Sequence, residues 1–541
     1  MPRTGGQVIV ETLEDLGITD VFGIPGQHAL ALFDALEGSS LRYTSARVEN
    51  NAAFAADGYA RATGRPAALF LSTGPGALTS LAGLQEAYAS GVPVLVVCAQ
   101  IPAAGLGGAR KGFLHQLVSQ ASAAAQVTKA QYTVRHGSAL PQVLADAHHA
   151  ALSAPQGPVW VEVPQDVLLA ETLTEQHIDP REPDAAAPGC AEQAAGLLAR
   201  AEKPVILAGG GVARSAGADS ALRAVAERLG APVACTGAAV GALPLDHPLS
   251  VGSWVEDRAV TDLLAEADVL LALGTSMGEV TSNYFSLRPR GTVIQVDANP
   301  AVLGSNHDVL GVCADAGEFL RRLGAGLPAG LSARAGEERA ARVREAILRR
   351  LDGQDLAHER AFMAALRRAI PSGAATYWDM TIAAYWAWNL WDPREGLSAT
   401  AQGAGGLGYG FPAAIGGAVA RGERTYAIAG DGSAMYSLAE LAVAVQHKLP
   451  VTWIIIDDGG YGILREYMND TFGRAVGTEL ARPDFLRVAE AFGVPATRCR
   501  IEDAAAPGAA EELVEAIATA SEGTGPRVVV CETSLRMFAP S

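Results

Sequence analysis

The chain has 541 residues, too many for one hydrophobic core, so several domains are expected. Hydrophobic residues at 49% and charged residues at 18% describe a well-buried globular protein and argue against disorder. A net charge of −17 argues against a nucleic-acid groove, and six scattered cysteines with no CxxC pair argue against a disulfide framework or a zinc site.

The first five residues run into an amphipathic stretch rather than a signal peptide, and no apolar run reaches the roughly 20 residues that span a bilayer. These features predict a cytoplasmic protein with no membrane partner. Short β-branched runs at 92–97, 204–208, 269–273, 292–296 and 451–456 alternate with Ala/Leu-rich stretches such as 222–229 and 434–447. That alternation indicates βαβ units and parallel sheets. Segments 179–189 and 324–336, rich in Pro, Gly and Ala, read as linkers. They divide the chain into blocks 1–180, 190–325 and 336–541, each of single-domain size.

In the first block, Arg47-Val48-Glu49-Asn50-Asn51 precedes an alanine-rich helical stretch, followed by Thr73-Gly74-Pro75-Gly76. Local sequence alone makes Glu49 an ordinary helix-start acid. The middle block has Gly209-Gly210-Gly211 after one strand and Asp297 after another, a weak dinucleotide signal for which a structural role is favoured over FAD binding.

The third block carries the strongest pattern. A strand at 426–429 ends in Gly430-Asp431-Gly432-Ser433; a helix is predicted over 434–447, then an apolar strand ending in Asp457-Asp458-Gly459-Gly460. Two acidic turns thus fall at the carboxyl ends of parallel strands, where open α/β sheets bind ligands. Glycines let backbone approach a phosphate, and a helix N-terminus favours anions. Asp431 and Asp458 suit Mg²⁺, which takes one or two carboxylates and leaves its other positions to phosphate and water. A bare GDG is common in turns. The 27-residue separation of the two acids, filled by a helix and a buried strand, makes this one informative.

Residues 425–464 resemble the thiamine-diphosphate signature, in which GDG is followed by an Asn-Asn-type turn. Val21–Gly26 and Asp57–Arg61 resemble the pyrimidine-binding domain of the same enzymes. The chain as a whole is similar to the thiamine-diphosphate-dependent 2-oxo acid decarboxylase and acetolactate synthase family. The resemblance implies an α/β protein of three doubly wound parallel-sheet domains, with pyrimidine and diphosphate domains flanking a Rossmann-like middle domain. It implies Mg²⁺ held by Asp431, Asp458 and the backbone oxygen of Gly460. Asp457-Asp458 stands where the family usually has Asn-Asn.

The family's catalytic glutamate falls on Glu49, which would promote the imino tautomer of the cofactor's aminopyrimidine. Leu407 would support the cofactor's bent shape and the Gly405 carbonyl would accept from its amino group. Thr73, Gly74, Thr381, Ile382, Gly430, Gly432, Ser433, Tyr461, Gly462 and Ile463 complete the implied cofactor contacts. Each site would lie between two subunits of a homodimer or homotetramer.

The adjacent histidines of pyruvate decarboxylases are replaced by Leu114-His115, and their later glutamate by Leu464; no equivalent of the benzoylformate decarboxylase histidine pair is evident. Gly23–His28, Gly112–Gln116 and Tyr461–Arg465 are most similar to an acetolactate-synthase-like branch that includes the decarboxylase of the arginine-derived 2-oxo acid. That relative has an acid where this chain has Ile463. Isoleucine cannot pair with a guanidinium, so an uncharged 2-oxo acid is expected. Gln27, His28, His115 and Gln116 are expected around the reacting carbonyl. The implied reaction is decarboxylation through ylide and enamine intermediates with release of an aldehyde; the alternative is a carboligase that joins the enamine to a second carbonyl compound.

Overall fold

A computed structural model describes residues 3–172, 178, 180–182, 191–328 and 334–539. Most of the predicted linker at 179–189 lies outside them. Three parallel sheets form, one in each block. The N-terminal sheet takes its strands Asp20–Gly23, Arg42–Ser45, Ala68–Leu71, Leu95–Gln100, Ala130–Thr133 and Val159–Pro164 in the spatial order 2-1-3-4-6-5. The C-terminal sheet takes Ala375–Trp378, Ser398–Thr400, Thr425–Gly430, Val451–Asp457, Ala496–Arg500 and Arg527–Glu532 in the same order. The outer domains are therefore topological duplicates. The middle sheet, from Val205–Ala208 to Leu310–Cys313, runs 2-1-3-4-5. Central strands such as Leu95–Gln100 are buried along their whole length because helices cover both sheet faces.

The predicted strand at 269–273 is observed over those residues, whereas that at 92–97 begins only at Leu95. The Val92 amide is used on Ala87 O to close the preceding helix, and Pro93 has no amide to donate. The helix predicted over 434–447 is broken. A short helix Asp431–Ala434 is followed by a 3₁₀ turn at Leu438–Glu440 and a helix at Leu441–Gln446. The break has a tertiary cause: Ser437 Oγ donates to Gly408 O at 2.7 Å, and Asn51 Nδ2 donates to Tyr436 O at 3.3 Å. Within the predicted linker at 324–336, Gly324–Gly326 close one helix and Arg334 opens another, Arg334–Asp352. That second helix lies against the middle domain, where Arg344 donates to Ser250 O and Arg350 pairs with Asp257. The middle-domain glycine run has a packing reason. A Cβ on Gly274 would lie 2.4 Å from Gly211 Cα, so two strand-end turns touch backbone to backbone.

The outer domains meet through equivalent elements. Helix Glu49–Thr63 follows the second strand of its sheet, helix Gly410–Arg421 follows the second strand of the other, and the two pack together. A Cβ on Gly58 would sit 2.1 Å from Ala413 O, and one on Gly416 would sit 1.9 Å from Ala55 O. Alongside, Arg61 pairs with Asp57 at 2.7 Å and Glu86 at 2.9 Å, and Glu86 also accepts the amides of Gly403 and Ala404. These charge-assisted bonds fix the helix pair in register. Gly416→Ala should therefore destabilise the protein by about 1–3 kcal/mol through overpacking and lower its thermal midpoint. Gly196→Ala, where the nearest atom is 3.9 Å away, should leave the midpoint unchanged or raise it. Equal midpoints for Gly416→Ala and the unaltered protein would contradict this account of the interface.

Candidate active site

In the C-terminal sheet the strand order reverses between Ala375–Trp378 and Thr425–Gly430, and ligands of open α/β sheets bind at such switch points. Thr381 follows the first of these strands and Asp431 the second. Asp458 follows the next strand over, Val451–Asp457, whose Ile456 pairs with Gly430. Asp431 is fully buried, and neither carboxylate oxygen has a hydrogen-bond partner. Burial, reinforced by Asp458 and Asp457, pushes its carboxyl up to about 7. Burial also raises Asp458, against the opposing pull of Arg465. The Thr381 hydroxyl is likewise buried and unpartnered.

Such an arrangement is costly in isolation and becomes favourable around a cation and a phosphate. Glycines keep the cradle open. A Cβ on Gly462 would fall 2.1 Å from Asp458 Oδ2, and one on Gly432 would strike the Tyr461 ring at 2.7 Å. Gly459, at φ +92°, makes the turn. Helices Ile382–Leu390 and Gly462–Phe472 both start at this cluster, so their N-terminal amides favour an anion there. Ser433 exchanges hydrogen bonds with Gly430 and closes the turn that presents Asp431. Gly460 N donates to Asp458 Oδ1 at 3.3 Å. Ile463 is half-buried against the apolar cluster that contains Ile382 and Ile456.

The loop bearing Gly405 and Leu407 is set by Asp379, whose carboxylate accepts the amides of Gly408 (2.8 Å), Tyr409 (3.0 Å) and Gly410 (3.2 Å). Burial holds that carboxyl at about 6. Leu407 is half-buried beside Gly406, whose added Cβ would lie 3.4 Å from Phe54 of the N-terminal domain.

Glu49 opens helix Glu49–Thr63 and is half-buried, with Oε1 3.3 Å from where a Cβ on Gly76 would sit. Its position is clamped from the other domain. The buried Glu440 carboxylate accepts the amides of Arg47 (3.1 Å) and Val48 (3.2 Å) and the Asn51 side chain (3.1 Å). His28 is buried with Nδ1 unpartnered, and its ring centre lies 5.5 Å from that of His115. Burial first, and then His115, lowers the His28 pKa, which favours a neutral imidazole.

The structure gathers the predicted residues unevenly. Thr381, Ile382, Gly430–Ser433, Asp458 and Gly460–Ile463 converge on one cluster. His28 and His115, both expected around the reacting carbonyl, lie with their rings 5.5 Å apart. Gln116 does not join them with a free amide. Its oxygen accepts from Gly112 N and its nitrogen donates to Gly105 O and Arg110 O, which holds its own loop. The Gln27 side chain is exposed. Thr73 Oγ1 donates to Gln120 Oε1 at 2.7 Å, and Gly74 N reaches the same oxygen at 3.2 Å, so both belong to a buried polar network. Asp379, Glu440 and Arg482, the last with its Nε 3.5 Å from Asp431 Oδ2, were missed. A short polar spacing marks none of them, because their partners lie far away in sequence.

Three family descriptions match the chain. "Thiamine pyrophosphate enzyme, N-terminal TPP binding domain" covers residues 3–123, the central domain 191–323, and the C-terminal TPP binding domain 379–531. The chain is 34% identical over 502 residues to a probable 2-ketoarginine decarboxylase of Pseudomonas aeruginosa, covering 91% of this chain and 88% of that protein. It is 32% identical over 527 residues to the large subunit of acetolactate synthase isozyme 1 of Escherichia coli, covering 94% and 92%. A probable acetolactate synthase large subunit of Methanocaldococcus jannaschii is 31% identical over 526 residues, covering 91% and 87%. Three domain matches in chain order, similarity along nearly the whole chain and an unsatisfied acidic cradle at a sheet switch point agree: the chain belongs to the thiamine-pyrophosphate enzymes, in their acetolactate-synthase-like group, whose cofactor is thiamine diphosphate.

Proposed function

We propose that this protein decarboxylates an uncharged 2-oxo acid and releases an aldehyde, with thiamine diphosphate anchored through Mg²⁺. The observation that carries the reading is Asp431, fully buried with neither carboxylate oxygen hydrogen-bonded, at the end of a strand adjacent to the one that carries Asp458. These two carboxylates and the Gly460 backbone oxygen would hold the cation, while Thr381 and the two helix N-termini would hold the diphosphate. The bound cofactor supplies a carbon nucleophile and an electron sink for the departing carboxylate.

The protein's own part is positioning, proton transfer and exclusion of water. Glu49 offers its carboxyl to the pyrimidine ring for proton exchange, and the Glu440 clamp fixes the backbone that leads into it. Leu407 and the Gly405 carbonyl orient the ring, with Asp379 fixing their loop. His28, which burial keeps towards the neutral imidazole, and His115 beside it are placed to move a proton at the reacting carbonyl. Ile463 gives the substrate pocket an apolar wall, which disfavours a cationic side chain.

Exposed apolar residues flank both half-sites: Leu78, Leu114 and Val118 on the N-terminal domain, Met435 and Tyr436 on the C-terminal domain. A patch of this kind supports association. A homodimer with sites between subunits, or a tetramer of two such dimers, would cover it. Among the described residues no helix is long and apolar enough to cross a membrane. The acetolactate synthase relatives favour carboligation as a second reading.

Product analysis separates the two. With aliphatic and aromatic 2-oxo acids, aldehyde should equal CO₂, and a guanidino-bearing 2-oxo acid should be a poorer substrate. Two oxo acids consumed for each CO₂, with no aldehyde, would establish the carboligase instead. Preference for the guanidino acid in competition would overturn the assignment of Ile463. Glu49→Gln should lower turnover about a hundredfold or more while thiamine diphosphate affinity stays near normal. Retained turnover would remove Glu49 from the chemistry.

A further inference from the structure

The metal-binding turn carries two carboxylates, Asp457 and Asp458, where two asparagines are usual; Asp458 is the expected metal ligand, which leaves Asp457 as a charge with no such role. Its side chain is only 12% exposed and sits one residue from Asp458. An additional buried negative charge next to a diphosphate opposes binding, since at such separations charges interact strongly in a partly dry site.

Arg482 lies over these acids. Its Nε is paired with Asp457 Oδ1 and stands 3.5 Å from Asp431 Oδ2. The backbone holds it there. Tyr461 N donates to Thr478 O at 2.9 Å, Leu480 N donates to Gly459 O at 3.2 Å, and Gly460 bridges Glu479 in antiparallel fashion. Segment 478–482 is thus stitched along the turn 459–461, and a Cβ on Gly459 would lie 3.8 Å from the guanidinium. Arg465 faces Asp458 separately and is paired with Glu479, so it does not neutralise Asp457.

We propose that Arg482 is an internal counter-ion of the cofactor-anchoring turn: it neutralises Asp457, so that a turn with two carboxylates presents the charge of a turn with one. The inference rests on the reading that Asp431 and Asp458 anchor thiamine diphosphate through a divalent cation. Arg482 is a positioning residue here. Its effect on the cofactor passes through Asp457, and that dependence is what a double-mutant cycle measures.

The test is calorimetric titration of the full-length protein with thiamine diphosphate in excess MgCl₂, with circular dichroism to verify folding. Arg482→Gln should weaken binding about tenfold or more, as expected when one partner of a part-buried charge pair is removed. Arg482→Lys should stay within about threefold of the unaltered protein, because the charge is kept. Asp457→Asn alone should bind no more weakly than the unaltered protein, and the double variant Asp457→Asn/Arg482→Gln should recover most of the lost affinity. Arg487→Gln makes the same change of net charge at a side chain 86% exposed and should change nothing.

An unchanged affinity in Arg482→Gln, or a double variant as weak as Arg482→Gln alone, would overturn the proposal; the latter would mean that Arg482 acts on the diphosphate itself. Failure of the underlying reading looks different. The unaltered protein would then not bind the cofactor, or Asp431→Ala would bind it as tightly as the unaltered protein.

Discussion

A carboxylate buried without a hydrogen bond is among the most expensive groups a fold can hold, and Asp431 is such a group. The Arg482 guanidinium 3.5 Å away offsets part of that cost, and a bound divalent cation would offset more. Much of the C-terminal domain follows from the need to offset it. The strand end that carries Asp431 lies next to the one that carries Asp458, Gly462 leaves room for the second carboxylate, and two helices begin at the same point. The same low-dielectric pocket that makes the acids costly when alone makes their attraction to a cation strong.

The duplicated topology explains how one chain supplies two unlike half-sites. In each outer domain the switch point lies between the first and third strands, and the helix after the second strand faces its counterpart in the other domain. One domain places acids at its switch point; the other places His28 and the Thr73-Gly74 turn there, and starts its second-strand helix with Glu49. Glycine at 58 and 416 lets the two helices approach, and the Glu440 clamp ties the position of Glu49 to the neighbouring domain.

Much of this was legible in the sequence, because it depends on local patterns. The apolar strands, the acidic turns at their ends and the helix beginning at Glu49 all follow from short-range spacing. What was not legible depends on contacts between distant residues. The helix after Asp431 breaks at Tyr436 and Ser437 because Gly408 and Asn51 bond there, and no local breaker announces it. Gln116 resembled a substrate contact but is consumed by its own loop. The matching strand orders of the outer domains have no counterpart in an obvious sequence repeat.

We propose that Glu49 and Asp431 serve one site, completed when two subunits meet. The most direct measurement co-expresses Glu49→Gln and Asp431→Ala chains with different affinity tags and assays the purified hybrid dimer. If sites form between subunits, the hybrid contains one site with both native residues, and decarboxylation returns to about half that of the unaltered dimer. A hybrid as inactive as either parent would contradict the account.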